Sequence, residues 1–179
     1  MINKKKAFTL VEITIGIFIF SILLLVVMNV FSSGMKGSQK ALSHQDNMEA
    51  ANILMAQIEY DLSRATKITF PDWNDTQSEA QWKFESEDGK EVTFFYEKSS
   101  EGVHRNVTGD GIAPINYYFA KGHTVNISFT HFAVDAGGGN NDDLLVEKHG
   151  MWIDLEVGDP KGKYPSFTMN KLIVVRRPF

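Results

Sequence analysis

The chain has 179 residues, of which 43% are hydrophobic and 22% are charged, a composition that excludes both a disordered tail and a polytopic membrane protein. Its formal net charge of −4 argues against a broad surface for nucleic acid, so no nucleic-acid partner is expected. The absence of cysteine excludes disulfides, thiolate metal sites and cysteine nucleophiles. The length suits one globular domain with an appendage.

The first predicted element is an apolar helix near the N-terminus. Residues Ile13 to Met35 form a run of 23 residues without a charged side chain. As a helix this run would be roughly 35 Å long, which is enough to cross a bilayer. Lys4, Lys5 and Lys6 precede it, so the positive-inside rule places the N-terminus in the cytoplasm and the C-terminal part of the chain on the other side.

Two general interpretations of this segment compete. A secretory signal peptide needs an apolar core of about 7–15 residues with a small-residue cleavage site after it. The run here is longer, and "NVFSSGMKGSQK" fits such a site poorly. An uncleaved membrane anchor explains the lysines and the length, but it explains Glu12 only as an interfacial carboxylate that reaches water.

The stretch "KAFTLVE" resembles the cleavage and methylation motif of type IV prepilins and of type II secretion pseudopilins. In that family the prepilin peptidase removes a short basic leader before a phenylalanine, and the new amino terminus is N-methylated. The resemblance implies that residues 1–7 are the leader, that Ala7 precedes the cut, and that Phe8 becomes the methylated first residue. The family usually has glycine where Ala7 stands, and a small residue is expected there so that the backbone can enter the peptidase site.

Glu12 matches the glutamate of that motif. In a filament of stacked anchor helices it would be buried beside the positively charged amino terminus of a neighbouring subunit, because an unpaired buried carboxylate is costly. Such a pair forms only in the correct stagger. We therefore expect Glu12 to set the register between subunits.

An amphipathic helix over residues 36–70 is predicted to follow the membrane and filament-core helix over residues 8–35. Its end is placed before Pro71, since the residue before a proline avoids the helical region. Apolar residues spaced by three and four form one stripe, which we expect to pack on a sheet: Met48, Ala51, Met55, Ile58, Leu62 and Ala65. Asp61 is expected to lie mainly off this stripe.

Residues 71–179 are predicted to form an antiparallel β head. The stretches "QWKFESE" and "EVTFFYEK" alternate apolar and polar residues around an Asp-Gly turn. In "TVNISFTHFAV" the apolar face is expected to lose phase near His131. Six or seven strands without a helix between them, covered by the amphipathic helix, give an α+β fold, and the pilin resemblance implies the same architecture.

The histidines show no metal-ligand spacing of a recognised kind, and no catalytic motif is present, so we do not expect an enzyme. The loop "DAGGGNNDD" contains oxygen ligands of the kind that calcium takes, with glycines that allow a tight wrap: Asp135, Asn140, Asp142 and Asp143. Some pseudopilins bind calcium, but the spacing departs from the usual calcium loop. A solvated loop without metal is the alternative, and no other cofactor is expected.

A looser resemblance concerns the kind of pilin-like protein. The stretches "QIEYDLSRATKITF", "VTFFYEKSSEGVHRNV" and "LIVVRR" are similar to larger minor subunits: the J-type pseudopilin of type II secretion, the W-type minor pilin of type IV pili, and a minor pilin of competence systems. The implied partners are the prepilin peptidase and N-methyltransferase, other minor and major pilins or pseudopilins, and the inner-membrane assembly platform. The implied location is the bacterial inner membrane, crossed once, with the head in the periplasm or outside the cell.

Two other classes of protein stay open. One is a membrane-anchored adhesin or other ligand-binding head, whose sign would be an exposed aromatic platform built from Trp73, Trp82 or Trp152. The other is a membrane-tethered enzyme, whose sign would be an acid–base pair in a cleft.

Overall fold

The computed structural model describes residues 9–72, 75–85, 89–134 and 148–175. Within them one long helix, α1 (Leu10–Ser63), precedes nine strands: β1 (Lys67–Phe70), β2 (Thr76–Gln77), β3 (Glu79–Glu85), β4 (Glu91–Ser99), β5 (Gly102–Gly109), β6 (Ile112–Phe119), β7 (Thr124–Val134), β8 (Lys148–Gly158) and β9 (Phe167–Val175).

The chain divides into two compact units, Met1–Leu42 and Ser43–Phe179. The first unit contains the apolar part of α1, and its described residues are exposed. By length and composition α1 is long and apolar enough to cross a membrane, so the predicted apolar helix is confirmed. The second unit contains the rest of α1 and the described strands, and we call it the head.

The strands of the head form two antiparallel sheets. The first sheet has the order β1-β3-β4-β5-β6 and the second has the order β2-β7-β8-β9. The sequence predicted a single sheet of six or seven strands, and this expectation was wrong. Alternation shows which residues of a strand face a core, but it carries no information on which strands become neighbours.

The helix ends earlier than the sequence predicted. The backbone N–H of Ala65 donates to the carbonyl of Leu62 at 3.0 Å, a tightened last turn, and β1 begins at Lys67. Pro71 favours an extended conformation for the residue before it, and that residue lies in a strand. This strand, β1, pairs with β3, which places Ile68 opposite Trp82.

The core lies between the head part of α1 and the inner faces of both sheets. The predicted stripe is buried at five positions: Ala51, Met55, Ile58, Leu62 and Ala65. Met48 is 40% exposed, because the centre of the buried face runs one residue earlier, from Asn47 through Ala51, Leu54 and Ile58 to Asp61. The prediction that Asp61 lies off the stripe was therefore wrong, since this residue is only 1% exposed.

The second sheet contributes a continuous inner face. On β7 the side chains of Val125, Ile127 and Phe129 are buried as predicted, and His131 continues the same face at 3% exposure. The expected loss of phase at His131 does not occur, because its ring Nδ1 lies 3.2 Å from the carbonyl of Pro71 and so has a polar partner inside the core. The α+β fold, with a long N-terminal helix packed against antiparallel sheets, is confirmed.

Candidate processing and assembly site

The first turn of α1 is closed by a reciprocal cap between two side chains. The Thr9 hydroxyl accepts a hydrogen bond from the backbone N–H of Glu12 at 3.3 Å. Oε2 of Glu12 accepts hydrogen bonds from the backbone N–H of Thr9 at 2.9 Å and from its hydroxyl at 3.0 Å. This is a capping box, and the Thr-x-x-Glu spacing in "FTLVE" is its readable sequence signature. It gives Thr9 a role that the family motif alone does not.

The cap gives the Glu12 carboxylate hydrogen-bond partners within its own chain. Its carboxylate lies in the first turn, where the positive end of the helix dipole stabilises a negative charge. Within the described residues only Oε2 is engaged, and no hydrogen bond occupies Oε1. Among the described residues, the carboxylate thus has partners at one oxygen and none at the other.

The apolar part of α1 is a surface without a covering layer. Between Leu10 and Met35 every large apolar side chain is exposed, from 44% at Leu24 to 83% at Leu10. Two of its hydroxyls bond inside the helix: Thr14 Oγ1 donates to the Leu10 carbonyl at 2.5 Å, and Ser21 Oγ to the Ile17 carbonyl at 2.7 Å. A helix that exposes apolar side chains and bonds hydroxyls to its own backbone is suited to lipid or to other apolar helices.

Several predicted site residues fall outside the part of the chain that the structure describes. They are the leader residues Lys4, Lys5 and Lys6, the cleavage residues Ala7 and Phe8, and the calcium candidates Asp135, Asn140, Asp142 and Asp143. Of the predicted site, the structure therefore places only Glu12. Among the residues that it does describe, no group of three or more histidine, aspartate or glutamate side chains is arranged to hold a metal ion.

A buried polar cluster fixes the end of α1 to the first sheet. Arg105 on β5 donates to Asp61 from Nε to Oδ2 at 2.6 Å and from Nη2 to Oδ1 at 3.1 Å. The Tyr96 hydroxyl donates to the same Oδ2 at 2.6 Å, and Gln57 donates to Oδ1 at 3.0 Å. Burial, followed by the charge of Asp61, raises the pKa of the Tyr96 hydroxyl, so this group stays protonated and acts as a donor.

A second polar contact fixes the start of the head part of α1. Asn47 is 1% exposed, and its Nδ2 donates to the carbonyl of Pro165 at 3.3 Å. Its Oδ1 lies 3.1 Å from Nδ1 of His123. Both partners lie in loops beside the second sheet. Asn47 and Asp61 are polar residues on an otherwise apolar stripe, so a search for apolar residues at helical spacing does not identify them.

The tryptophans differ in their surroundings. Trp82 is fully buried and stacks on Tyr96 with ring centroids 5.0 Å apart, so it belongs to the core. Trp152 on β8 is 40% exposed. Trp73 lies outside the described residues. Of the three candidates for an aromatic platform, Trp82 is excluded and Trp152 is accessible.

Residues 2–28 match the family described as the prokaryotic N-terminal methylation motif. This chain carries a type IV pilin-like signal. The matched range includes most of the predicted leader, the predicted cleavage site, Glu12 and the first part of α1. The resemblance of this N-terminal stretch to the signal of pilins and pseudopilins, taken together, is therefore confirmed. No curated protein and no solved structure matches the chain.

The motif indicates what kind of N-terminal signal the chain carries. It supports a pilin-like protein that is processed by prepilin peptidase, assembles with other pilins and has a structural role. The exposed apolar helix together with the motif indicates anchoring in a membrane.

Proposed function

We propose that this chain is a minor pilin-like subunit of a type II secretion pseudopilus, placed in the filament or at its tip. Prepilin peptidase cuts it between Ala7 and Phe8 and methylates the new amino terminus. The observation that carries the proposal is a methylation motif that runs directly into an uncovered apolar helix, whose continuation is packed into a β head.

The exposed helix supports a role in assembly. Burying one leucine, isoleucine or phenylalanine side chain contributes about 1.5–3 kcal/mol, and the first unit of the chain offers such side chains all around α1. The bilayer covers them before assembly, and the helices of neighbouring subunits cover them in the filament. Van der Waals packing and polar contacts then decide how the helices align, since lipid is as apolar as a neighbouring helix.

Glu12 supplies the polar contact in this scheme. Its Oε2 stays with Thr9, and its Oε1 receives the methylated amino group of Phe8 from a neighbouring subunit. The carboxylate is therefore never buried without a partner, because Thr9 donates hydrogen bonds to it before the neighbouring subunit binds. Glu12→Gln keeps the shape and removes the charge, so we expect it to be cut and inserted normally but to cross-link poorly to other subunits.

The assignment to a minor subunit rests on the three stretches that are similar to larger minor pilins. In the structure two of them supply the cluster that fixes α1 to the first sheet, with Asp61 in the first stretch and Tyr96 and Arg105 in the second. The proposed partners are the inner-membrane assembly platform and other minor and major pseudopilins. The leader lies in the cytoplasm and the head in the periplasm.

The processing step is tested on protein purified from native membranes. Mass spectrometry should find a chain that begins at Phe8 with a methylated amine. Ala7→Gly should be cut at least as fast as the parent, and Ala7→Leu should remain uncut, because a bulky side chain hinders entry of the backbone into the peptidase. An intact Met1 terminus in a peptidase-positive strain would refute the proposal.

The choice of machine is tested by deleting the gene and measuring three outputs in the same strain. Loss of protein secretion, with twitching motility and transformation unchanged, supports the pseudopilus. Loss of twitching identifies a minor pilin of a type IV pilus instead, and loss of transformation identifies a competence subunit.

A further inference from the structure

The outer face of the second sheet carries a regular array of polar side chains. Strand register places Asp154 on β8 opposite Ser128 on β7 and Asn170 on β9. Two residues further along β8, Glu156 lies opposite Asn126 and Thr168. Two open depressions, of about 440 Å³ and 560 Å³, lie along this face and share Asn126 and Glu156. Together they form one groove.

Some polar groups of this groove are paired and others are not. Glu156 accepts hydrogen bonds from Ser166 at 2.6 Å and from Asn126 at 3.5 Å, and Asn126 Oδ1 accepts one from Lys98 at 2.5 Å. Here, the described part of the chain gives no side-chain hydrogen bond to three neutral residues of the groove: Ser128, Thr168 and Asn170. Within the described residues, the donors and acceptors of these three side chains are available to a ligand.

A half-exposed aromatic ring lies beside Asp154, one of the residues that line the groove. Trp152 lies on β8 two residues before Asp154, and its indole Nε1 donates to Asp154 Oδ1 at 2.9 Å. The ring is 40% exposed, and the neighbouring Leu172 on β9 is 44% exposed. Oδ2 of Asp154 has no hydrogen-bond partner within the described residues. An amphipathic ring beside a carboxylate offers an apolar surface and an acceptor at the same place.

The charge of the groove restricts what it can bind. Its lining includes three carboxylates, of Asp154, Glu156 and Asp159, and the cationic side chain of Lys161. The ammonium of Lys98 also reaches the groove, where it donates to Asn126 Oδ1 at 2.5 Å, so carboxylates outnumber cations by three to two. The hydroxyl of Ser166 and the amide of Asn126, both hydrogen-bonded to Glu156, lower the pKa of that carboxyl, so it stays ionised. An anionic ligand is disfavoured here. The neutral amides and hydroxyls favour a ligand that is itself rich in hydroxyls.

We propose that this groove binds a segment of a neutral polysaccharide. A sugar ring has an apolar C–H face that stacks on an aromatic ring and a rim of hydroxyls that bond to amides and carboxylates. The groove lies along β8 from Asp154 to Gly158. Trp152 precedes it on the same strand, so the ring and the groove together extend over six residue steps, roughly 20 Å, and several sugar units fit along them. Trp152 supports the first unit, and Asp154, Asn170 and Thr168 bond to the hydroxyls that follow.

The test uses the full chain labelled with 5-fluorotryptophan, in a zwitterionic detergent without a sugar head group. Fluorine NMR resolves the tryptophans, and Trp152→Phe assigns the signal of Trp152. The neutral probes are maltohexaose, cellohexaose, chitohexaose and mannohexaose, each up to about 10 mM, and hexagalacturonate is the anionic comparison. We expect at least one neutral hexasaccharide to shift the Trp152 signal saturably and to leave the signal of buried Trp82 in place.

Matched variants separate the groove from non-specific contact. Asn170→Ala and Asp154→Asn should weaken binding by roughly tenfold. Tyr118→Ala removes an aromatic side chain of the same 40% exposure from the first sheet and should bind like the parent. If the Trp82 signal of one of these variants differs from that of the parent, the core is disturbed, and Thr168→Ala is used in place of that variant.

Three results would overturn the proposal. One is the absence of a saturable shift with all four neutral probes. Another is a shift as strong with hexagalacturonate as with a neutral probe. The third is equal affinity of the parent and of groove variants whose Trp82 signal is unchanged.

Discussion

Replacing Asp61 with alanine should destabilise the head, because it leaves the guanidinium of Arg105 without its carboxylate. The Arg105 side chain is 15% exposed and the Asp61 side chain 2%, so water cannot fully replace the lost partner. Breaking a buried ion pair from one side costs about 3–5 kcal/mol. For a chain of this length, a melting temperature falls by about 2–4 °C for each kcal/mol, which gives a decrease of roughly 6–20 °C.

Two further variants separate the charge from the packing. Tyr96→Phe removes one donor but leaves Arg105 on the same oxygen, so it should cost only about 1 kcal/mol. The double variant Asp61→Leu with Arg105→Met removes both charges and keeps most of the volume. It should recover most of the loss, since apolar replacement of a buried pair is often neutral or stabilising.

The assay is unfolding of the full chain in detergent, followed by near-ultraviolet circular dichroism. Trp82 is the reporter, because it is fully buried and stacks on Tyr96 beside the cluster. The coupling energy comes from the cycle of Asp61→Leu, Arg105→Met and their double variant. An Asp61→Ala protein that unfolds within about 1 kcal/mol of the parent, or a cycle without coupling, would show that the cluster does not hold the helix to the sheet.

Other variants test the core, the cap and one surface carboxyl. Ile58→Asp should unfold or aggregate the head, since Ile58 is fully buried, whereas Ile53→Asp at a 54% exposed position should melt like its parent; equal melting of the two would contradict the packing. Thr9→Ala should weaken the first turn of α1 by about 0.5–2 kcal/mol, measured as faster amide exchange there, and Thr9→Ser should not. Ser166→Ala should raise the pKa of Glu156 in an NMR titration, because the Ser166 hydroxyl is the main cause of its lowered value. A lowered pKa stabilises the fold above the carboxyl's unfolded pKa, and this contribution is lost as the pH falls through the folded pKa, so parent and variant should converge in stability at acid pH.

The sequence by itself determined the features that depend on neighbours along the chain. The uncharged run from Ile13 to Met35 predicted the apolar helix, and the motif around Glu12 predicted the pilin-like signal. Alternation on β7 and β8 predicted which side chains face the core. These properties are local, because a helix or strand repeats its faces with a fixed period.

Tertiary structure decided the features that depend on distant partners. Pro71 was equally compatible with the end of a helix and the end of a strand, and pairing of β1 with β3 decided for the strand. The strands divide into two sheets because β7 pairs with β2 and β8, and not with β6, which precedes it in the chain. Asp61 is buried because Arg105, 44 residues away in the sequence, donates to it. From its sequence neighbours alone, a carboxylate is expected to face water. A charge can be buried at low cost only when an opposite charge lies beside it in the fold. Sequence periodicity carries no information on such a distant partner.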